Sequence, residues 1–135
     1  MIITRKKDRK VLLENVKRYK SFFLLGCSEC ATLCATGGQE QVDELKGLLE
    51  SEGLAVTGAF VAKTGCQVLG TKVELKAFKE ALANTDCIIV MSCGAGTQAA
   101  VENFPDKPVY PANDSMFLGN MTRLQMFDER CSLCG

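Results

Sequence analysis

Ser21-Phe22-Phe23-Leu24-Leu25-Gly26-Cys27-Ser28-Glu29-Cys30-Ala31-Thr32-Leu33-Cys34-Ala35-Thr36-Gly37-Gly38 is the stretch on which the reading of this chain turns. Its apolar opening reads as a short strand buried on both faces. Three thiols within eight residues come next, and then a glycine pair. Over residues 39–52, Val42, Leu45, Leu48 and Leu49 recur at helical spacing, and Gly53 marks the end. Strand, loop and helix in this order are the first half of a β-α-β unit.

The pattern recurs downstream. Residues 55–61 read as a second strand, with β-branched Val56 and Val61 around aromatic Phe60. Thr71-Lys72-Val73-Glu74 has the form of a capping box. The helix it opens turns Leu75, Phe78 and Leu82 inward and ends near Asn84. Cys87-Ile88-Ile89-Val90-Met91 is a third buried strand, residues 97–104 a short helix, and Val109-Tyr110 a fourth strand. Alternation of this kind predicts a parallel sheet with right-handed crossovers. The expected fold is α/β: a small Rossmann-like or flavodoxin-like three-layer domain with a mainly parallel sheet of about four strands. Residues 1–135 form one domain. At its start, Leu12, Val16 and Tyr19 predict a basic amphipathic helix within residues 1–20. Residues 112–135, with turn-like Asn113-Asp114-Ser115 and Gly119-Asn120, are expected to be mostly irregular.

Composition narrows the function. With 47% hydrophobic and 24% charged residues, the chain is ordinary for a soluble globular domain. No apolar run is long enough for a membrane span, and nothing at the start reads as a signal peptide, so the expected location is the cytoplasm, without membrane insertion. Net charge is zero, yet eight of the sixteen Lys and Arg residues fall in the first twenty positions. We read these as a solvated helix face and not as a nucleic-acid arm, because no aromatic-studded basic patch follows. His is absent, which removes Cys-His metal sites and His acid–base chemistry.

Eight cysteines remain to be explained. In a reducing compartment, clustered thiols are metal ligands or redox groups more often than disulfides. Cys27, Cys30 and Cys34 follow the first strand, Cys66 the second and Cys93 the third. In a parallel sheet the carboxyl ends of the strands share one edge, so these five are expected on one rim. Cys87 falls at the opposite edge and reads as a small buried hydrophobe. Cys27-x2-Cys30-x3-Cys34 supplies three thiolates for a 4Fe-4S cluster, with Cys66 or Cys93 as the fourth ligand. Gly37 and Gly38 are expected to let backbone amides approach that cluster, and Gly94 to do the same at the start of the helix over residues 97–104. Zinc held by four cysteines is the alternative, as a structural site without electron transfer. Thioredoxin-like chemistry fits less well, since a third Cys and a glycine pair stand between Cys27-x-x-Cys30 and the helix. Gly94-Ala95-Gly96 is only a fragment of a dinucleotide fingerprint. Cys131-x2-Cys134 offers two more thiols, which need the rim cysteines or a partner to complete a site.

Gly-Cys-x-x-Cys-x-x-x-Cys-x-Thr-Gly-Gly (26–38), a lone Cys (66), Cys-Gly-x-Gly (93–96) and Arg-Cys-x-x-Cys-Gly (130–135) occur in this order. Together, over about residues 20–135, they resemble the MetV-like subunit or C-terminal domain of acetogen-type methylenetetrahydrofolate reductases. Phe104-Pro105-Asp106-Lys107-Pro108-Val109 and Phe117-x-Gly119 resemble it too. The resemblance implies an iron–sulfur-binding accessory subunit, with zinc as a further metal. Its partner would be a flavin-bearing catalytic subunit, alongside further electron-transfer subunits, in one-carbon metabolism. It also implies that Cys27, Cys30, Cys34, Cys66 and Cys93 are rim ligands and that Cys131 and Cys134 begin a second motif. The family's last motif continues into a cysteine-rich, Thr-Gly-Gly-containing tail, which these 135 residues lack, so the second site is expected to be incomplete within them.

Overall fold

The computed structural model describes all 135 residues. Four parallel strands form the central sheet: β2 (Ser21–Cys27), β3 (Ala55–Ala62), β4 (Cys87–Met91) and β5 (Val109–Pro111), in the order β3-β2-β4-β5. Phe22 pairs with Val56 on one side and Cys87 on the other, and Ile88 with Val109. Counted within the sheet this order is 2-1-3-4, the flavodoxin-like arrangement. Strand alternation divides the core in two. Phe22, Leu24, Cys87, Ile89 and Met91 face α1 (Arg9–Val16) and α3 (Gln39–Ser51), which contribute Leu12, Val16, Val42, Leu45 and Leu49. Phe23, Leu25, Ile88 and Val90 face the other layer, α4 (Val68–Leu75), α5 (Lys79–Ala83), the turn between them and α6 (Gly94–Asn103), through Leu75, Phe78, Leu82 and Ala100. The three-layer α/β expectation holds. No helix is long and apolar enough to cross a membrane.

A second, antiparallel sheet departs from the sequence reading. Residues 1–20 are not one helix: β1 (Ile2–Lys6) precedes α1, and Asp8 separates them by accepting the N–H groups of Lys10 and Val11 as N-cap. Helical spacing of Leu12 and Val16 is real but begins only after Asp8, and Ile2-Ile3-Thr4 carries the β-branched signal of a strand. Residues 112–135 are not mostly irregular either. They form a hairpin of β6 (Asn113–Arg123) and β7 (Met126–Cys131), and β6 pairs with β1. Its turn falls at Leu124-Gln125, with Gln125 at φ 58°, where no Gly, Asn or Asp marks it. Gly119 and Asn120 lie inside a strand.

Two helix starts also move. The Thr71 capping box does not form: α4 begins three residues earlier, and buried Thr71 turns its hydroxyl back toward Thr64 O. After Leu75 the helix tightens into a 3-10 turn (Lys76–Phe78) before α5. α6 starts at Gly94 and not at Thr97, so Cys93 is its N-cap and the two glycines lie in its first turn.

Candidate functional site: a thiol rim at the switch of the parallel sheet

From β2 the chain crosses to β3 on one flank, then returns across β2 to β4 and β5 on the other. The direction therefore reverses between β2 and β4. In open α/β sheets ligands bind at such a switch, outside the carboxyl ends of the strands. Cys27 is the last residue of β2, and Cys93 lies two residues past the end of β4. Both flank the switch.

The loop after β2 is wound tightly. Cys30 opens a single helical turn, α2 (Cys30–Leu33), Cys34 caps it, and Ala35 closes it at φ 53°. The N–H groups of Thr36 and Gly37 both return to Ala31 O, as in a helix C-cap. The loop then folds back on its strand: Cys27 N–H donates to Gly37 O at 2.9 Å, and Thr32 Oγ1 to Cys27 O at 2.7 Å. Gly37 lies so close to β4 that a Cβ there would sit 1.7 Å from Met91 O, and a Cβ on Gly26 would sit 2.5 Å from Gly37 O. Only glycine fits at these two crossings.

Cys27 is 7% exposed, and its Sγ accepts the Gly65 N–H at 3.3 Å. Burial pushes its thiol pKa up, the Glu29 and Gly65 N–H groups act against this, and neighbouring Cys93 and Cys30 raise it further. Cys27, Cys30 and Cys93, from two separate loops, are thus electrostatic neighbours. Cys66 adjoins Gly65, whose backbone hangs on Cys27 Sγ, so the loop after β3 belongs to the same rim; its thiol is exposed. Cys30, Cys34 and Cys93 are half-buried. Cys131 and Cys134 stand apart and exposed: Cys131 pairs with Leu118, five residues along β6 from Asn113. Cys87, at the other edge, is fully enclosed, and burial pushes its pKa up to about 12.

Gly37, Gly38 and Gly94 correct one expectation. Their amides do not stand open toward the rim: Gly37 N–H donates to Ala31 O, Gly38 N–H to Gln41 Oε1 at 3.1 Å, and Gly94 N–H to Ser115 Oγ at 2.9 Å. Sequence reasoning also missed the braces behind the rim. Thr36 gives its hydroxyl proton to Ala31 O and receives that of Thr4 at 2.6 Å, in a buried pair. Asn113 Nδ2 donates to Thr36 O at 3.3 Å and Ser92 O at 3.4 Å, joining the two thiol loops, while its buried Oδ1 has no partner. Thr4 lies on β1, Asn113 and Ser115 on β6. The antiparallel sheet therefore braces the rim of the parallel one. The i, i+2 spacing of Asn113 and Ser115 was the available signal, and it reads equally as a turn.

What the donor set can do follows from charge. A bound cation would relieve the repulsion that Cys93 and Cys30 exert on a Cys27 thiolate, and metal binding releases thiol protons. Soft sulfur without any imidazole suits iron–sulfur clusters or zinc. As the side chains stand, no three Cys, Asp or Glu residues already form an ion-holding group. Comparison of the chain with protein-family models, curated proteins and solved structures finds no match.

Proposed function

We propose that this chain is an iron–sulfur-binding accessory subunit of an oxidoreductase. It would relay electrons to, or structurally support, a flavin-bearing catalytic subunit of the methylenetetrahydrofolate reductase type. The observation that carries the reading is topological: the loops after β2, β3 and β4 bring Cys27, Cys30, Cys66 and Cys93 to the carboxyl edge of the sheet, at the switch between β2 and β4. The order of cysteine motifs, which resembles the MetV-like family, supports the choice of partner.

When bound, such a cluster supplies a one-electron carrier whose potential is set by burial and by hydrogen bonds to sulfur. Cys27, Cys30 and Cys93 would hold it, with Cys34 and Cys66 the remaining rim donors. Gly65 N–H already donates to Cys27 Sγ and would favour the deprotonated sulfur. Thr4, Thr36 and Asn113 keep the two thiol loops in register from behind.

Metal and sulfide analysis with a visible spectrum, on protein purified without oxygen, tests the proposal. The expected result is about four irons and four sulfides per chain, in coloured protein that bleaches on reduction. Cys30→Ser should lose most of the iron while its circular dichroism stays that of the wild type, because the sheet has its own core. Undiminished iron in Cys30→Ser would overturn the ligand assignment. Colourless protein with about one zinc per chain would instead identify a structural adaptor.

A further inference from the structure

Away from the thiol rim, the outer helical layer carries a second constellation. Lys72, Lys76 and Lys79 recur at i, i+4 and i+7 over α4, the 3-10 turn and α5, spanning roughly 10 Å. They border a cavity of about 620 Å³ whose apolar lining is Leu75, Leu82 and Phe104. Lys6, Lys7, Lys17 and Lys46 each find a carboxylate within the chain; these three pair with none, as is also true of Lys10, Lys20, Lys63 and Lys107, which border no such cavity. Glu74, between Lys72 and Lys76 in sequence, accepts the Lys63 N–H instead.

Such an arrangement carries a standing cost. Like charges one helical turn apart repel and destabilise the helix that holds them, and the parts of Leu82 and Phe104 that the core leaves uncovered stay wet. One kind of molecule relieves both. A neutral apolar ligand leaves the ammonium groups facing one another, and a bare inorganic anion leaves the half-buried Leu82 and Phe104 as they are. The cleft is open on one side, has room for a small molecule, and has the mainly apolar lining with a few polar groups that is the rule for such sites.

We propose that this cavity binds a small organic anion: a ring- or acyl-sized apolar body bearing a carboxylate or phosphate. Lys72, Lys76 and Lys79 recognise the charge, and Leu75, Leu82 and Phe104 the body. The site is independent of the thiol rim, and metal loading should not alter it.

The test is a fluorescence titration of the full chain, purified without oxygen, with 8-anilinonaphthalene-1-sulfonate. Its uncharged analogue N-phenyl-1-naphthylamine serves as the control, and backbone amide NMR shifts locate the site. Saturation at one probe per chain is expected, with shifts centred on residues 72–82 and 103–104. The neutral analogue and the K72E/K79E variant should each bind about tenfold more weakly. K72Q/K79Q should fall between variant and wild type. Dodecanoate and dodecyl phosphate should displace the probe where dodecanol and inorganic phosphate do not, and the more effective of the two acids identifies the head group. Equal binding of the neutral analogue, indifference to charge reversal, shifts centred elsewhere, or displacement by inorganic phosphate at the concentration of the amphiphiles would each overturn the proposal.

Discussion

Every residue of β4 is buried, whereas five of the six residues of β7 are exposed. The parallel sheet is covered by helices on both faces and held by apolar burial: Phe22, Phe23, Leu24, Ile88 and Ile89 are wholly enclosed. The antiparallel sheet has little core. Met116, Leu118, Met121, Leu124 and Met126 all lie open to solvent, and what fastens this sheet is a few buried polar contacts from Thr4 and Asn113. One chain thus holds a sheet that stands by hydrophobic packing and another that leans on hydrogen bonds. Local stability should be correspondingly uneven, with the hairpin opening more readily than the core strands.

The largest expected effect tests that division directly. Phe23→Ala removes an enclosed ring stacked edge-on against Phe78 and should cost about 3–5 kcal/mol in urea unfolding. Phe127→Ala, on β7, should cost less than about 1 kcal/mol. Similar losses at the two positions would break the comparison. Next in size is the brace. Asn113→Ala leaves Thr36 O and Ser92 O without their donor and should cost about 1–3 kcal/mol. Hydrogen exchange should then speed up selectively in β6, β7 and the Thr36 loop; uniform acceleration across β2 and β4 as well would show that the two sheets open together.

A third effect, absent at neutral pH, is a pH dependence belonging to the parallel sheet. The enclosed Cys87 thiol is held at about 12, against an ordinary value of 9.0, chiefly by burial. A pKa raised by folding means that the folded chain keeps its proton where the unfolded chain has lost it. The resulting stability is complete below pH 9 and is lost as pH rises from 9 toward 12. Cys27 acts in the same direction. Melting temperature followed across this range should fall more steeply in wild type than in Cys87→Ala, and parallel slopes would remove Cys87 from the alkaline transition.

The same contrast explains what the sequence disclosed. Strands buried on both faces write themselves as apolar runs, so Phe22 to Leu25 and Cys87 to Met91 were legible, as was the helix of Val42, Leu45 and Leu49 between them. Once the sheet was known to be parallel, its carboxyl edge followed, and with it the common rim of Cys27, Cys30, Cys66 and Cys93. β6 and β7 expose most of their side chains, so no alternation of apolar and polar residues betrays them, and Leu124-Gln125 lacks the residues that announce a turn. Gly37 reads in the sequence as a close approach of its amide to a cluster, but its role is steric: it passes β4 where no side chain fits. Asn113 and Thr4 escaped notice because a brace is defined by partners far away in the chain, which local patterning does not record.

β1 has a consequence for timing. All four strands of the parallel sheet lie within residues 21–111, so that sheet can assemble from neighbours in the chain. β1 is made before any of them, yet its partner is β6, and the Met1 amino group reaches Gly119 O across 118 residues. Closing so long a loop costs entropy that only the finished hairpin can offset. On a ribosome adding about 5–20 residues per second, β1 therefore stays unpaired for several seconds after it is made and is among the last of these strands to dock.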